Sequence, residues 1–123
     1  MKLYLSHASS FDYQQELYRP LKDSIAKSHQ IVFPHDDFIV NTHETILGSD
    51  VVVAEVTYPS TGEGIELGWA NAGGVPIVCL YKIGHQYSSS LSFVSGTFIG
   101  YSSQQDMVTK LQSWLSEYGD VAS

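Results

Sequence analysis

Basic residues are scarce in this chain of 123 residues: six Lys and Arg stand against thirteen Asp and Glu, a formal net charge of −7. Lys2, Arg19, Lys22, Lys27, Lys82 and Lys110 are scattered, so no basic stripe exists to track a phosphate backbone. Polymeric nucleic acid is excluded as a partner on that ground; a small nucleoside or nucleotide is not. Cysteine is nearly absent. Cys79 stands alone in the apolar run Val75 to Tyr81, which rules out an intrachain disulfide and reads as a small buried hydrophobe rather than a nucleophile. No CxxC, HExxH or clustered Cys/His spacing occurs, so neither a metal nor another cofactor is expected. No apolar run approaches a membrane span, and Met1 to Ser6 is too short for a signal-peptide core. A cytoplasmic protein without a membrane partner is therefore expected. Apolar residues make up 43% of the chain, enough for a real core, and the length suits one domain over residues 1–123.

Short apolar runs alternate with longer segments of helical period, the pattern of a parallel sheet wrapped by helices. Leu3-Tyr4-Leu5 reads as a first strand, ended by the polar loop Ser6 to Ser10. Ser9-x-x-Asp12 matches a capping box, and the helix it opens carries Leu17, Leu21 and Ile25 on one face. Gln30 to Phe33 is a second strand stopped by Pro34, and Asp50 to Val56, apolar on both faces, is the strongest. A helix follows the loop Tyr58 to Gly62 and runs to about Ala72, where Gly73-Gly74 ends it. Val75 to Tyr81 and Thr97 to Tyr101 complete the strands; Met107, Leu111, Trp114 and Leu115 mark a C-terminal helix. The pattern predicts an α/β fold: a doubly wound, flavodoxin- or Rossmann-like, five-stranded and mostly parallel sheet with helices on both faces. Ligands of such sheets sit outside the carboxyl ends of the strands, where strand order reverses. Attention falls on loops 6–10, 34–37 and 57–64.

Those loops hold the candidate binding residues: Ser6 and Ser9 in the first, Asp36 in the second, and Ser60, Gly62 and Gly64 in the third. Gly62-x-Gly64 after a buried strand permits close approach of a ligand or phosphate. It is not the dinucleotide fingerprint, because the third glycine comes one residue late, at Gly68. A turn needing two glycines, with a Ser60-x-x-Glu63 capping box, accounts for the same residues without a ligand. Glu66 falls in the first turns of the helix, where the dipole favours an ionised carboxylate, and it leans back toward the sheet edge. From position alone a solvated helix-face glutamate is an equal reading. Glu55, inside the central strand, offers a second carboxylate, with the role of acceptor for backbone amides of a neighbouring loop favoured over a functional one. Asp36 and Asp37 read either as an acid partner or as turn residues, and the five histidines as surface or cap residues.

The stretch Asp50 to Gly68, DVVVAEVTYPSTGEGIELG, closely resembles the core signature of the nucleoside 2-deoxyribosyltransferase superfamily. It is most similar to the branch containing 2′-deoxynucleoside 5′-phosphate N-hydrolase, and Leu3 to Ser6 resembles the family's first strand, with its active-site tyrosine at Tyr4. The resemblance implies cleavage or transfer at the N-glycosidic bond of a nucleoside or its 5′-monophosphate. Glu66 matches the glutamate that attacks C1′ to form a glycosyl-enzyme ester, resolved by a second base or by water. Ser60 matches a residue holding the sugar 5′ end or its phosphate. Ser92 resembles a serine lent to the neighbouring subunit's site in family dimers, so a homodimer with a shared site is implied.

Two departures stand out. Thr42 occupies the position of the family's aspartate, eight residues before Asp50, and Asp36, Asp37 and Glu44 are out of register with it. Ser6-His7-Ala8-Ser9-Ser10 replaces the Gly- and Arg-containing phosphate loop. A binding module that keeps the pocket without turnover is therefore an alternative. A third reading notes that Tyr4 to Ser9 also resembles the opening of TIR domains, some of which cleave nicotinamide from NAD. Trp69, Tyr81, Phe93 and Phe98 read as apolar surface for association into a homodimer or higher homo-oligomer, or as core, the favoured reading for Trp69 and Tyr81. If Glu66 lines an open pocket, its replacement is expected to leave fold stability nearly unchanged.

Overall fold

The computed structural model describes residues 1–122. One sheet contains β1 (Lys2–His7), β2 (Gln30–Val32), β3 (Val51–Glu55), β4 (Ile77–Lys82) and β5 (Thr97–Tyr101). All neighbours are parallel, in the order β2-β1-β3-β4-β5, so the expected doubly wound sheet is observed with β1, β3 and β4 at its centre. The chain leaves β1 outward to β2 and returns on its other side as β3. A crevice therefore opens at the carboxyl ends of β1 and β3, the switch point of this topology.

Side chains alternate across a strand, and that alternation builds two cores from one sheet. Leu3, Leu5, Val51 and Val53 bury one face, packed with Leu17, Leu21, Met107 and Leu111. Tyr4, Val52, Ala54 and Cys79 bury the other, packed with Ile46, Leu67 and Ala70. The first face is covered by α1 (Arg19–Lys22) and α4 (Gln104–Ala122), the second by α2 (Thr42–Leu47) and α3 (Thr61–Ala72). No helix among the described residues is long and apolar enough to cross a membrane.

Several elements differ from the sequence expectation for identifiable reasons. β1 continues through Ser6 and His7, which pair with Ala54 and Glu55; polar side chains hid a strand whose backbone ladder runs on. In the first helical segment Asp12, not Ser9, accepts from an early amide, that of Gln15. That segment is no single helix: a π turn, Gln14–Tyr18, leads into α1, and a 3₁₀ turn, Ile25–Lys27, follows. The wide turn, in which the Arg19 amide reaches back to Gln14 O, sits just before Pro20, which has no amide and crowds the carbonyl four residues earlier. The unexpected α2 is capped by Asn41, whose Oδ1 accepts from Glu44 N at 3.0 Å. Its end seats tightly against α3: a Cβ on Gly73 would lie 2.1 Å from Leu47 Cδ2.

Candidate active site

Tyr4 and Ser6 are two residues apart on β1, so both side chains rise on the α3 face. Both meet Glu66. Tyr4 Oη donates to Glu66 Oε2 at 2.7 Å, and Ser6 Oγ donates to Oε1 at 2.7 Å. Each carboxylate oxygen is thus held by one hydroxyl from a buried strand position, which fixes the plane of the group. Burial pushes the Tyr4 phenol far above its ordinary range, and the Glu66 hydrogen bond and charge push it the same way, so it stays a donor. Glu66 is the sixth residue of α3, beyond the first turn that holds Glu63. Because the dipole acts over the first turn, the two hydroxyls rather than the helix end hold the carboxylate, a correction to the positional reading.

Glu66 lines a cavity of about 210 Å³ that collects all three loops singled out from the topology. Ser9 and His7 come from the end of β1, Pro34 and His35 from beyond β2, and Ser60, Gly62 and Glu63 from the start of α3. A second cavity, of about 370 Å³, opens on the other side of the α3 start toward Ser88, Ser90 and Leu91. Ser60 and Glu63 belong to both walls.

The candidate residues divide accordingly. Ser9, Ser60 and Gly62 line the cavity with Glu66, and Gly64 lines the second one. Ser6 contributes by gripping Glu66 rather than by lining the cavity. Asp36 lies outside: it pairs with Lys22 and accepts from Gln14 Nε2 at 2.9 Å. Asp37 is a turn residue, accepting from Phe33 N at 2.8 Å. Ser92 is exposed, donates to Ser89 O at 2.9 Å, and lines neither cavity of its own chain. Thr42 opens α2 and lines neither. Glu55 takes the structural role expected of it, accepting from Thr57 N at 2.6 Å, from Thr57 Oγ1 and from Tyr101. Burial pushes the Cys79 thiol up to about 11, so no reactive thiolate forms there.

Three expectations need correcting. Gly62 and Gly64 are not required by a turn: both lie within α3, neither has a positive φ, and a Cβ on either would meet nothing closer than 3.9 Å. His7 is neither surface nor cap. It is buried; Nδ1–H donates to Ala8 O at 2.6 Å, which leaves Nε2 to accept from Tyr18 Oη at 2.7 Å. Tyr18 Oη in turn accepts from His35 N, and burial lowers the His7 pKa. Glu63 completes only the Ser60 half of a capping box, its amide donating to Ser60 Oγ at 3.2 Å. Its own carboxyl is 4% exposed with Oε2 unpartnered, and burial, then repulsion from Glu55 and Glu66, pushes its pKa up to about 9. Among the described residues no group of three or more His, Cys, Asp or Glu has the arrangement of a metal site.

A rat 5-hydroxymethyl-dUMP N-hydrolase is 65% identical over 34 residues, covering 28% of this chain and 21% of that protein. A protein named putative 2′-deoxynucleoside 5′-phosphate N-hydrolase 1, from Syntrophotalea carbinolica, is 35% identical over 72 residues, covering 56% of this chain and 51% of its own length. The chain resembles the N-hydrolase branch. No family model matches it. The matched stretches span from about a fifth to about half of these relatives' own length. The solved structure of a Clostridium botulinum CMP N-glycosidase superposes with a TM-score of 0.67 at 22% identity, over 91% of this chain and 99% of that one. At that identity the likeness is one of fold: the N-glycosidase has the same α/β architecture.

Proposed function

We propose that the protein cleaves the N-glycosidic bond of a (2′-deoxy)nucleoside or its 5′-monophosphate, with Glu66 as the attacking carboxylate. The observation that carries this reading is the Tyr4–Glu66–Ser6 arrangement at the wall of the switch-point cavity. A carboxylate oriented by two donors keeps lone pairs free to attack C1′, and a glycosyl ester divides one difficult displacement into two easier ones. Ser9, Ser60 and Gly62 line the same cavity, which supports contacts there with the sugar and its 5′ end. α3 carries Gly62, Gly64 and Gly68, each costing about 1 kcal/mol relative to alanine inside a helix. No internal contact within 3.4 Å demands any of the three, and Gly62 lines the Glu66 cavity, which supports a ligand approaching the backbone there. The names of the relatives, N-hydrolases and an N-glycosidase, support the same chemistry. In a homodimer Ser92 of the partner would complete the site; Phe93 beside it is 83% exposed, whereas Trp69, Tyr81 and Phe98 pack on their own core.

The test is incubation with deoxynucleosides, ribonucleosides, their monophosphates and NAD, with and without a free acceptor base, following released base. Release without acceptor marks a hydrolase; product only with acceptor marks a transferase; release of nicotinamide alone marks the NAD reading. Thr42 in place of the family's aspartate favours a second reading, a binding module. Measurable binding with no turnover of any substrate would establish it. A strictly monomeric species by light scattering at micromolar concentration would remove Ser92 from the site.

A further inference from the structure

Glu63 is the one side chain whose state the fold leaves unexplained. Its Oε2 is the single buried side-chain oxygen or nitrogen without a hydrogen-bond partner among the described residues. A carboxyl group taken from water without a partner is costly, and it persists where a ligand completes it or where it must hold a proton. The groups facing it are Glu55 from β3, Glu66 from its own helix and Cys79 from β4, with His7 and His35 lining the same cavity. None is a lysine or arginine. Lys82, at the end of β4, is already paired with Glu16 and Tyr58. Burial and two neighbouring acids therefore keep Glu63 neutral and proton-bearing at physiological pH, with a pKa of about 9.

Glu63 and Glu66 are three residues apart on α3, a spacing that puts side chains on one helix face with Cβ atoms about 5–6 Å apart. Glycosidases that work through a covalent ester use a pair of neighbouring carboxyls, one ionised and one protonated. The environments here separate the pair in that sense: Glu66 is gripped by two donors, while Glu63 has none for Oε2.

We propose that Glu63 is the proton donor to the departing base, a further catalytic residue that rests on the glycosidic reading of the site. Glu66 forms the bond to C1′ as the C1′–N bond breaks; the bonding pair stays on the base nitrogen, and the Glu63 proton passes to the base. Esterification removes the Glu66 charge that opposed ionisation of Glu63, so the new Glu63 carboxylate is tolerated while the ester lasts. It then takes a proton from the water whose oxygen attacks C1′, and Glu66 is released as a carboxylate. The sum is nucleoside plus water giving free base and sugar.

The experiment compares wild type and Glu63→Gln on deoxyuridine and 5-fluorodeoxyuridine, with or without a 5′-phosphate, across pH 5–10.5. Glutamine keeps the shape but has no transferable proton. Expected is a loss in kcat of about 10²–10⁴-fold with KM changed little, disappearance of the alkaline fall in kcat, and a smaller loss for the 5-fluorinated base, which leaves more readily unprotonated. Equal losses on both substrates, or a Glu63→Gln kcat within a few-fold of wild type with the same pH profile, overturns the proposal and leaves the glycosidic reading standing. Wild type alone supplies a second measurement should the variant fail to fold: a kcat level through pH 10.5 also overturns it. Release of no base by wild type from any substrate removes the glycosidic reading and, with it, this role.

Discussion

Removing the Glu66 carboxylate perturbs chemistry and stability together, and the two effects separate by choice of substitution. In Glu66→Ala, the hydroxyls of Tyr4 and Ser6, both at 0% exposure, lose their acceptor at once. A buried donor left without a partner costs about 1–3 kcal/mol. Alanine returns a few tenths of a kcal/mol through helix propensity, so for two donors the net loss is about 1.5–5.5 kcal/mol, a melting temperature lower by on the order of 10 °C. The expectation drawn from an open pocket, that stability stays nearly unchanged, is therefore revised. Glu66→Gln keeps the volume and one carbonyl acceptor, and one hydroxyl can rotate to accept from the new amide. Its stability loss is about 1 kcal/mol. Neither variant can attack C1′, so both should lose base release by several orders of magnitude. Thermal unfolding by circular dichroism and single-turnover base release measure the two effects side by side. Near-wild-type turnover in Glu66→Gln would refute the nucleophile; an unchanged melting temperature in Glu66→Ala would refute the double grip.

Tyr4→Phe removes one half of that grip while filling the same core volume, so kcat should fall about 10–100-fold while the protein stays folded; an unchanged kcat would show that Ser6 alone orients the carboxylate. Glu63 sets a pH dependence of stability. Between its unfolded value of 4.5 and its folded value of about 9 the unfolded chain releases a proton that the native state keeps, so stability falls as pH rises through that window. The slope from this group is on the order of 1 kcal/mol per pH unit, and Glu63→Gln should flatten it; parallel denaturation curves at pH 5 and pH 8 for the two proteins would contradict this. Gly62→Ala should stabilise α3 by about 0.5–1 kcal/mol yet raise KM, because the added methyl stands at the cavity wall; an unchanged KM would free Gly62 of a ligand role.

Fold class was legible because β3 and β4 are continuous apolar runs and α4 keeps its helical period through Met107, Leu111 and Leu115. What hid was polar or local. Ser6 and His7 looked like loop because their side chains are hydrophilic, although both are buried and the ladder runs through them. Reading β1 two residues further would have placed Tyr4 and Ser6 on one face and predicted a shared target. α2 was signalled by Asn41-x-x-Glu44, a capping pattern in a stretch too short to show a period. Ser60, Gly62 and Glu66 were singled out through motif, topology and resemblance, Tyr4 through the resemblance alone, and the structure brings the same three loops around one cavity with Tyr4 bonded to Glu66. Asp36 was misassigned because Gln14 and Lys22 claim its carboxylate, contacts across the chain that spacing does not reveal. Glu63 was passed over because a capping box explained it locally; only its inward burial between two other acids separates it from an ordinary cap.

Tyr4 and Ser6 are residues of an interior strand, β1, where Tyr4 pairs with both β2 and β3 and Ser6 with β3, whereas Ser9, His35 and Gly62 stand on connections or at a helix end. The two halves of the site should therefore open with different free energies. Amides of β1 should exchange with solvent only through global unfolding, while those around the cavity rim exchange through smaller openings. The groups that hold the Glu66 carboxylate cannot loosen without disturbing the sheet, yet the walls of the cavity can breathe around them.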